Sequence, residues 1–310
     1  MYKSKIIAYA LCVILAGCLV YAAVNSDSKK YDTGGQNSTV SEDIAVKKQL
    51  PSNIVEPDEN GDLCFTVATH DLGYFNYSTA LHYEGEDVDA QYQNWKSVIN
   101  GYDVDFFFCQ EYQLYFDADY RLGADGIFKD KFKNYDNIYA NAYGAVGIMS
   151  QHRQVDRYGI DLIADVDGYV GPSRPCVIAS SKINGNFRIW LASFSLFNDK
   201  SSETAPLARK QQLQMLLNNR WIKESEYAIL AGNFNSDDGE LAELLAENGY
   251  TLCNNGIPTT DKKGAVAIDN IAVKGFEVVE CSVYPDKRCT SNHYPVVAKL
   301  KLVRKMDVGQ

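Results

Sequence analysis

Tyr227-Ala-Ile-Leu-Ala-Gly-Asn-Phe-Asn-Ser-Asp-Asp238 is a short apolar run that breaks at Gly232 into two amides and two acids. An apolar run of this length fits one strand covered on both faces. Its abrupt polar ending is informative, because binding groups gather where a rigid strand gives way to a loop. The same design recurs along the chain. Cys64-Phe-Thr-Val-Ala-Thr69 runs into His70-Asp71, Asp105-Phe-Phe-Phe-Cys-Gln110 runs into Glu111, and Arg188-Ile-Trp-Leu-Ala-Ser-Phe194 ends in Ser195. Farther on, Asp269-Asn270 opens one apolar run and Ser291-Asn292-His293 opens another. Brought together, these tips would form a mouth of carboxylates, amides and imidazoles above an apolar core.

Between the tips the pattern is mostly strand. Asn137–Tyr143 and Ala145–Ser150 have the pattern of paired strands, and Cys176–Ser181 with Phe187–Phe194 that of a hairpin turning at Asn184-Gly185. Further strands are expected near Ile271–Val273, Glu277–Val283 and Pro295–Leu302. Helices are expected over Gln91–Asn100, with Asp89 as a cap, and over Glu240–Glu247. The best helical pattern is Glu203–Asn219, with Pro206 in its first turn and Leu213, Leu216 and Leu217 on one face. Tyr112–Tyr135 is mixed and takes no assignment, and the Tyr-rich loop Tyr74–Tyr83 is expected to serve packing. Strands outnumber helices, and helices fall between strand pairs. That order predicts an α/β (α+β) domain, a two-sheet β-sandwich flanked by helices.

The 310 residues fit one large domain plus a targeting segment, or two small domains. Hydrophobic content of 46% supports a full core, and 12% aromatic residues argue against disorder. A net charge of −10 argues against a nucleic-acid coat protein but leaves room for a nuclease with a local basic groove. At the N-terminus, Lys3 and Lys5 precede an apolar run from Ile6 to Val24, long enough to span a bilayer. Leu15-Ala-Gly-Cys18 also has the look of a lipoprotein box, and a cleaved signal peptide is a third option. All three place the remainder across a membrane. Residues 1–24 are therefore the signal or anchor, 25–61 a polar tether, 62–303 the folded domain and 304–310 a tail. Of the eight cysteines none forms a CxxC pair, so a structural zinc site is not expected. Cys64 and Cys109 suit buried positions, and a Cys281–Cys289 disulfide stays open.

Taken together, the polar strand ends resemble the endonuclease/exonuclease/phosphatase superfamily, whose fold is DNase I-like with four layers. The resemblance runs from Leu63 to Leu302. His70 falls where that family's opening strand ends in Asn, and Gln110-Glu111 matches its Gln-Glu pair. Tyr143–Ser150 resembles its glycine-apolar-serine strand, Ser195 stands where many members have His, and Arg209 with Gln212 matches Arg-x-x-Gln. Gly232-Asn-Phe-Asn235 matches Gly-Asp-Phe-Asn, Ile268-Asp269 matches Ile-Asp, and Ser291-Asn-His293 matches Ser-Asp-His.

The resemblance implies Mg²⁺- or Mn²⁺-dependent hydrolysis of phosphate esters. Glu111 would be the metal ligand, a hard oxygen donor for a hard cation. An acid at 233 would activate water, and Asn235, Ser195 and His70 would contact phosphate. Asp269 would assist the site, and an acid at 292 would orient the catalytic His293. Asn233 and Asn292 break the pattern, since an amide neither attracts a cation nor accepts a proton. The expectation is an exported, membrane-tethered domain whose chemistry is weak or lost and whose cleft is kept for a phosphate ligand. That ligand would be nucleic acid, a phospholipid head group or a sugar phosphate. The alternative is an active enzyme in which His70 and Asp237 or Asp238 supply the missing functions.

Overall fold

The computed structural model describes residues 53–75, 87–117, 119–166, 173–199, 202–236, 239, 241–260, 266–285 and 291–303. The expected targeting segment, most of the tether and the tail lie outside the described residues, as do Asp237, Asp238 and Cys289. Among the described residues no helix is long and apolar enough to cross a membrane. The domain begins earlier than expected. Asn53 exchanges two hydrogen bonds with the Arg153 backbone, and Val55 packs against the core, so at least 53–55 belong to the domain and not the tether.

The first half holds β1 (Cys64–Asp71), α1 (Val88–Gly101), β2 (Phe106–Gln110), α2 (Asp125–Phe128), β3 (Asn134–Asn141) and β4 (Gly144–Ser150). The second holds β5 (Gln154–Leu162), β6 (Arg174–Ile183), β7 (Phe187–Ser195), α3 (Ala205–Leu217), α4 (Arg220–Lys223) and β8 (Tyr227–Asn233). The chain closes with α5 (Ala242–Glu247), β9 (Thr251–Leu252), β10 (Asp269–Lys274), β11 (Phe276–Val283) and β12 (Val296–Leu302). Two mixed sheets result, ordered β11-β12-β1-β2-β4-β3 and β5-β6-β7-β8-β10-β9.

Each sheet has one parallel pair near its middle, β1 with β2 and β7 with β8. Parallel neighbours need a crossover, and the helices that supply it lie on the outer faces. α1 crosses between β1 and β2 and buries Val88, Tyr92, Trp95, Val98 and Ile99. Its N-cap is Asp87, without a side-chain cap bond, so Asp89 is no cap but an acid in the first turn. α3 crosses between β7 and β8 and buries Leu213, Leu216 and Leu217, with Pro206 in its first turn.

Three apolar layers follow from strand alternation. Phe65, Val67, Phe106, Ile229 and Ile271 fill the space between the sheets. Trp95 of α1 shares a layer with Phe107 and Phe128, while Trp190, Phe194 and Leu230 lie under α3. The crossovers make every central parallel strand end at one edge of the sandwich. Below that edge Gln110 Nε2 donates to Ser193 Oγ at 3.0 Å, tying the sheets together under the mouth.

Gly232 shows how tightly this edge is built. It pairs with Phe194 across the parallel ladder, and a Cβ there would lie 2.0 Å from the Phe194 carbonyl oxygen. Gly232→Ala is expected to lower stability by about 3 kcal/mol, since backbone cannot yield as a side-chain tip can. The midpoint of denaturant unfolding checks this.

Candidate active site

Alternation along β1 decides which acid faces the mouth. Phe65 and Val67 point between the sheets, Ala68 to the α1 side. Counting by twos puts Thr69 and Asp71 inward and His70 outward. His70 is buried, its ring 5.5 Å from that of Trp95, and its Nε2 donates to the His293 carbonyl at 3.0 Å. Its ring braces the loop from the outer side of β1, away from the mouth in which the expectation placed it. A slip of one residue in a strand inverts the face, and Asp71 holds the position.

Asp71 is 1% exposed. Its Oδ1 accepts from Gly73 N at 3.0 Å and its Oδ2 from Asn233 Nδ2 at 3.1 Å. Ser291 Oγ donates to its carbonyl at 2.6 Å, which fastens the loop before β12 to the end of β1. Asp71, Asp269 and His293 each bring one ligand-capable atom within 4.8 Å of the others.

Glu111 follows β2 in the left-handed region at φ 49°. Its carbonyl accepts from Tyr74 N at 2.9 Å. Of the six described non-glycine residues with positive φ, four (Tyr74, Phe75, Glu111 and Asn235) belong to this mouth and the turn behind it. Such strain is retained where the surroundings over-determine it. Burial and the neighbouring Asp71 carboxylate push the Glu111 carboxyl up to about 8, with His293 and Arg174 pulling the other way.

Asn233 ends β8, opposite Asp269 on β10 and beside Ser195 on β7. Its Oδ1 accepts from Asn235 N at 3.0 Å, closing the turn that Gly232 begins. Asn235 Nδ2 donates to the Leu196 carbonyl at 2.8 Å. An amide nitrogen carries two hydrogens, so one is left for a ligand. Ser195 is half-buried at the same edge.

Asp269 is fully buried and its Oδ2 lies 2.7 Å from His293 Nδ1. The acid that orients His293 is therefore Asp269, not the residue at 292, and the amide at 292 does not deprive the imidazole of its partner. Burial alone would lower the imidazole. The carboxylates of Asp269, Asp71 and Glu111 outweigh it and push His293 up to about 10, so the ring is cationic at neutral pH. Asn292 is 7% exposed, and neither its Oδ1 nor its Nδ2 has a hydrogen-bond partner. The neighbouring carboxylates of Glu111 and Asp71 are hard oxygen donors of the kind a divalent cation takes.

Two further groups stand at this mouth. The Tyr74 hydroxyl lies beside Gly144, where a Cβ would be 3.7 Å from it and 3.9 Å from Pro175 Cγ. Arg174, which opens β6, donates to Asn198 Oδ1 and packs 5.7 Å over the Phe197 ring. Its charge bears on both Glu111 and Tyr74. Neither residue carries a pattern in the sequence, since each acts from the start or end of an element. A cavity of about 210 Å³ opens on the outer face of the second sheet, lined by Phe234, Leu245, Leu252, Asn254 and Asn270. Among the described residues its lining contains no acid or base.

No known family profile and no curated protein matches the sequence. Solved structures do match. An endonuclease/exonuclease/phosphatase family protein from Bacteroides thetaiotaomicron aligns at TM-score 0.57 and 17% identity, covering 80% of this chain and 99% of that one. ANGEL2, a 2′,3′-cyclic phosphatase solved with adenosine-2′,3′-vanadate, aligns at 0.60 and 13%, covering 78% and 96%. A humanized D. rerio TDP2 aligns at 0.56 and 15%, covering 76% and 98%. Two six-stranded mixed sheets with crossover helices outside, and a polar mouth where the parallel strands end, give this chain the DNase I-like fold of the endonuclease/exonuclease/phosphatase superfamily.

Proposed function

We propose that the chain is an exported, membrane-tethered phosphoesterase that depends on a divalent cation, Mg²⁺ or Mn²⁺, and retains its chemistry. One observation carries this reading. The pattern of Gly-Asp-Phe-Asn expects an acid at 233 and an amide at the end of β1. Here the amide is Asn233 and the acid is Asp71, joined by a 3.1 Å hydrogen bond. The two residue types have changed places across one contact. The carboxylate missing at 233 is thus regained beside it, which supports activity over the loss that Asn233 and Asn292 alone would imply.

Each residue then has a role that its surroundings favour. Asp71 accepts the proton of the attacking water, held in place by the Asn233 amide and Gly73 N. His293, cationic through its contact with Asp269, donates from Nε2 to a phosphate oxygen as negative charge builds there. Arg174 and the free amide hydrogen of Asn235 offer further donors. Glu111 would hold the cation, which would supply charge to neutralise the phosphate. The ligand class is a phosphate ester of nucleic acid, a lipid head group or a sugar. The apolar run 6–24 supports tethering outside the cytoplasm.

The direct test incubates the full chain with Mn²⁺ or Mg²⁺ and bis-nitrophenyl phosphate, nitrophenyl phosphate or plasmid DNA. Turnover lost in Glu111→Ala is the expected result. A well-folded wild type that turns over none of them would leave only a binding cleft. Arg174→Gln is expected to raise KM about 10-fold with little change in kcat, as loss of one charged contact to the bound phosphate should.

Cation and proton compete for Glu111. A carboxyl raised to about 8 when folded, against about 4.5 unfolded, binds its proton more tightly in the native state. Cation-free stability therefore falls as pH rises from about 5 to 8. Mn²⁺ is expected to raise Tm more at pH 8 than at pH 6, and calorimetry at the two pH values reads it.

A further inference from the structure

Two cysteines, Cys253 and Cys281, lie on the open side of the sandwich, near enough for one to bear electrostatically on the other. The first sheet ends on β11 and the second on β9. β12 packs over β10 between the sheets, and β11 and β9 are their outer neighbours on that side. Cys281 on β11 stands opposite Ala298 of β12. Cys253, just after β9, donates its N–H to the Ile271 carbonyl of β10 at 2.8 Å. Ala298 and Ile271 both belong to the core between the sheets. Cys253 lies in that core, and Cys281 packs against it.

Their depth matches too. Ala298 lies two positions along β12 from Val296 at the mouth, and Ile271 two positions along β10 from Asp269 at the mouth. The other described thiols have no such counterpart. Cys109 and Cys176 are buried in different outer layers, and Cys64 sits beside Asp58.

We propose that Cys253 and Cys281 form an inter-sheet disulfide that closes the open edge of the sandwich once the chain is exported. Both are free thiols here. Immunoglobulin sandwiches are bridged between sheets in the same manner. Cys281 is the more exposed of the two, and as its thiolate it attacks the disulfide of an extracytoplasmic thiol oxidoreductase. The resulting mixed disulfide is attacked at the Cys281 sulfur by the Cys253 thiolate. The S–S bond forms, and the oxidoreductase departs as a dithiol, its two sulfurs carrying both electrons and the two protons that the cysteines gave up. Burial raises both thiols above their ordinary range, so transfer from such a catalyst is favoured over spontaneous air oxidation.

The test has two arms. The full chain, expressed with its own N-terminus, is trapped with N-ethylmaleimide, digested without reduction and mapped by mass spectrometry. A second sample of folded chain is equilibrated with oxidised glutathione before trapping. A cross-linked 253–281 peptide is expected in both. Reduction should lower Tm by on the order of 5 °C, an effect lost in Cys253→Ser and Cys281→Ser and kept in Cys289→Ser. A Cys281–Cys289 bridge overturns the proposal, as does recovery of both thiols alkylated after glutathione. The glutathione arm does not depend on compartment, so a failure of export and a failure of pairing give different results.

Discussion

Asp71→Asn is expected to lower kcat by about 10³–10⁴, the range over which a positioned general base acts. The substitution keeps the side-chain shape and the Gly73 contact but removes the one proton acceptor that touches Asn233. The decisive experiment is the exchange. Asp71→Asn combined with Asn233→Asp restores a carboxylate to the same contact from the opposite sheet. If the base is defined by place and not by strand, the double variant recovers at least 10-fold over Asp71→Asn, a non-additivity expected of residues acting as one unit. Asn233→Asp alone sets two carboxylates in contact within a buried acid cluster, and its like-charge repulsion should lower both stability and activity. Steady-state kinetics on bis-nitrophenyl phosphate with thermal melts reads all four proteins. Recovery absent in a folded double variant would remove Asp71 from the chemistry.

The same contact shows what the sequence could and could not reveal. The β8 tip was legible because its apolar run has one register and Gly232 ends it abruptly. Glu111 and Asp269 were legible for the same reason, each standing next to a buried strand. His70 was misplaced by one residue because the strand extends to Asp71, and only the inward count from Phe65 and Val67 separates them. β5 gave no signal. It is an edge strand, half-exposed, with Asp156, Arg157 and Asp161 along it, and edges carry charge to avoid pairing with other chains. The partner of His293 was assigned to its neighbour at 292, whereas the fold supplies it from 24 residues away. Tyr74 and Arg174 reach the mouth through a strained turn and a strand start, and neither leaves a periodic trace. Strand tips are thus readable locally; the pairings between them are properties of the assembled sandwich.

Asp269→Asn is expected to be nearly as damaging as loss of Asp71, by a different route. In serine proteases, replacing the acid that orients a catalytic histidine costs about 10⁴ in rate. Here that acid is fully buried, 2.7 Å from His293 Nδ1, and it helps push the imidazole up to about 10. Without it burial dominates, and the ring falls back toward or below its ordinary value near 6.5. A wild-type enzyme that uses the imidazolium should hold its rate until pH approaches 10. The variant's remaining activity should instead fall through neutral pH as His293 loses its proton. The stability consequence has the same sign. A histidine whose folded value exceeds its unfolded one stabilises fully below about 6.5, and that contribution disappears as pH rises through about 10. The variant should therefore lose stability at pH 6, by about 3 kcal/mol for one partner of a buried pair, and lose less at pH 10. Rate profiles and denaturant melts at both pH values separate the two effects. A variant whose pH–rate profile overlays the wild type's would mean that His293 does not act as an acid, and the mouth would then work through Asp71 and the cation ligands alone.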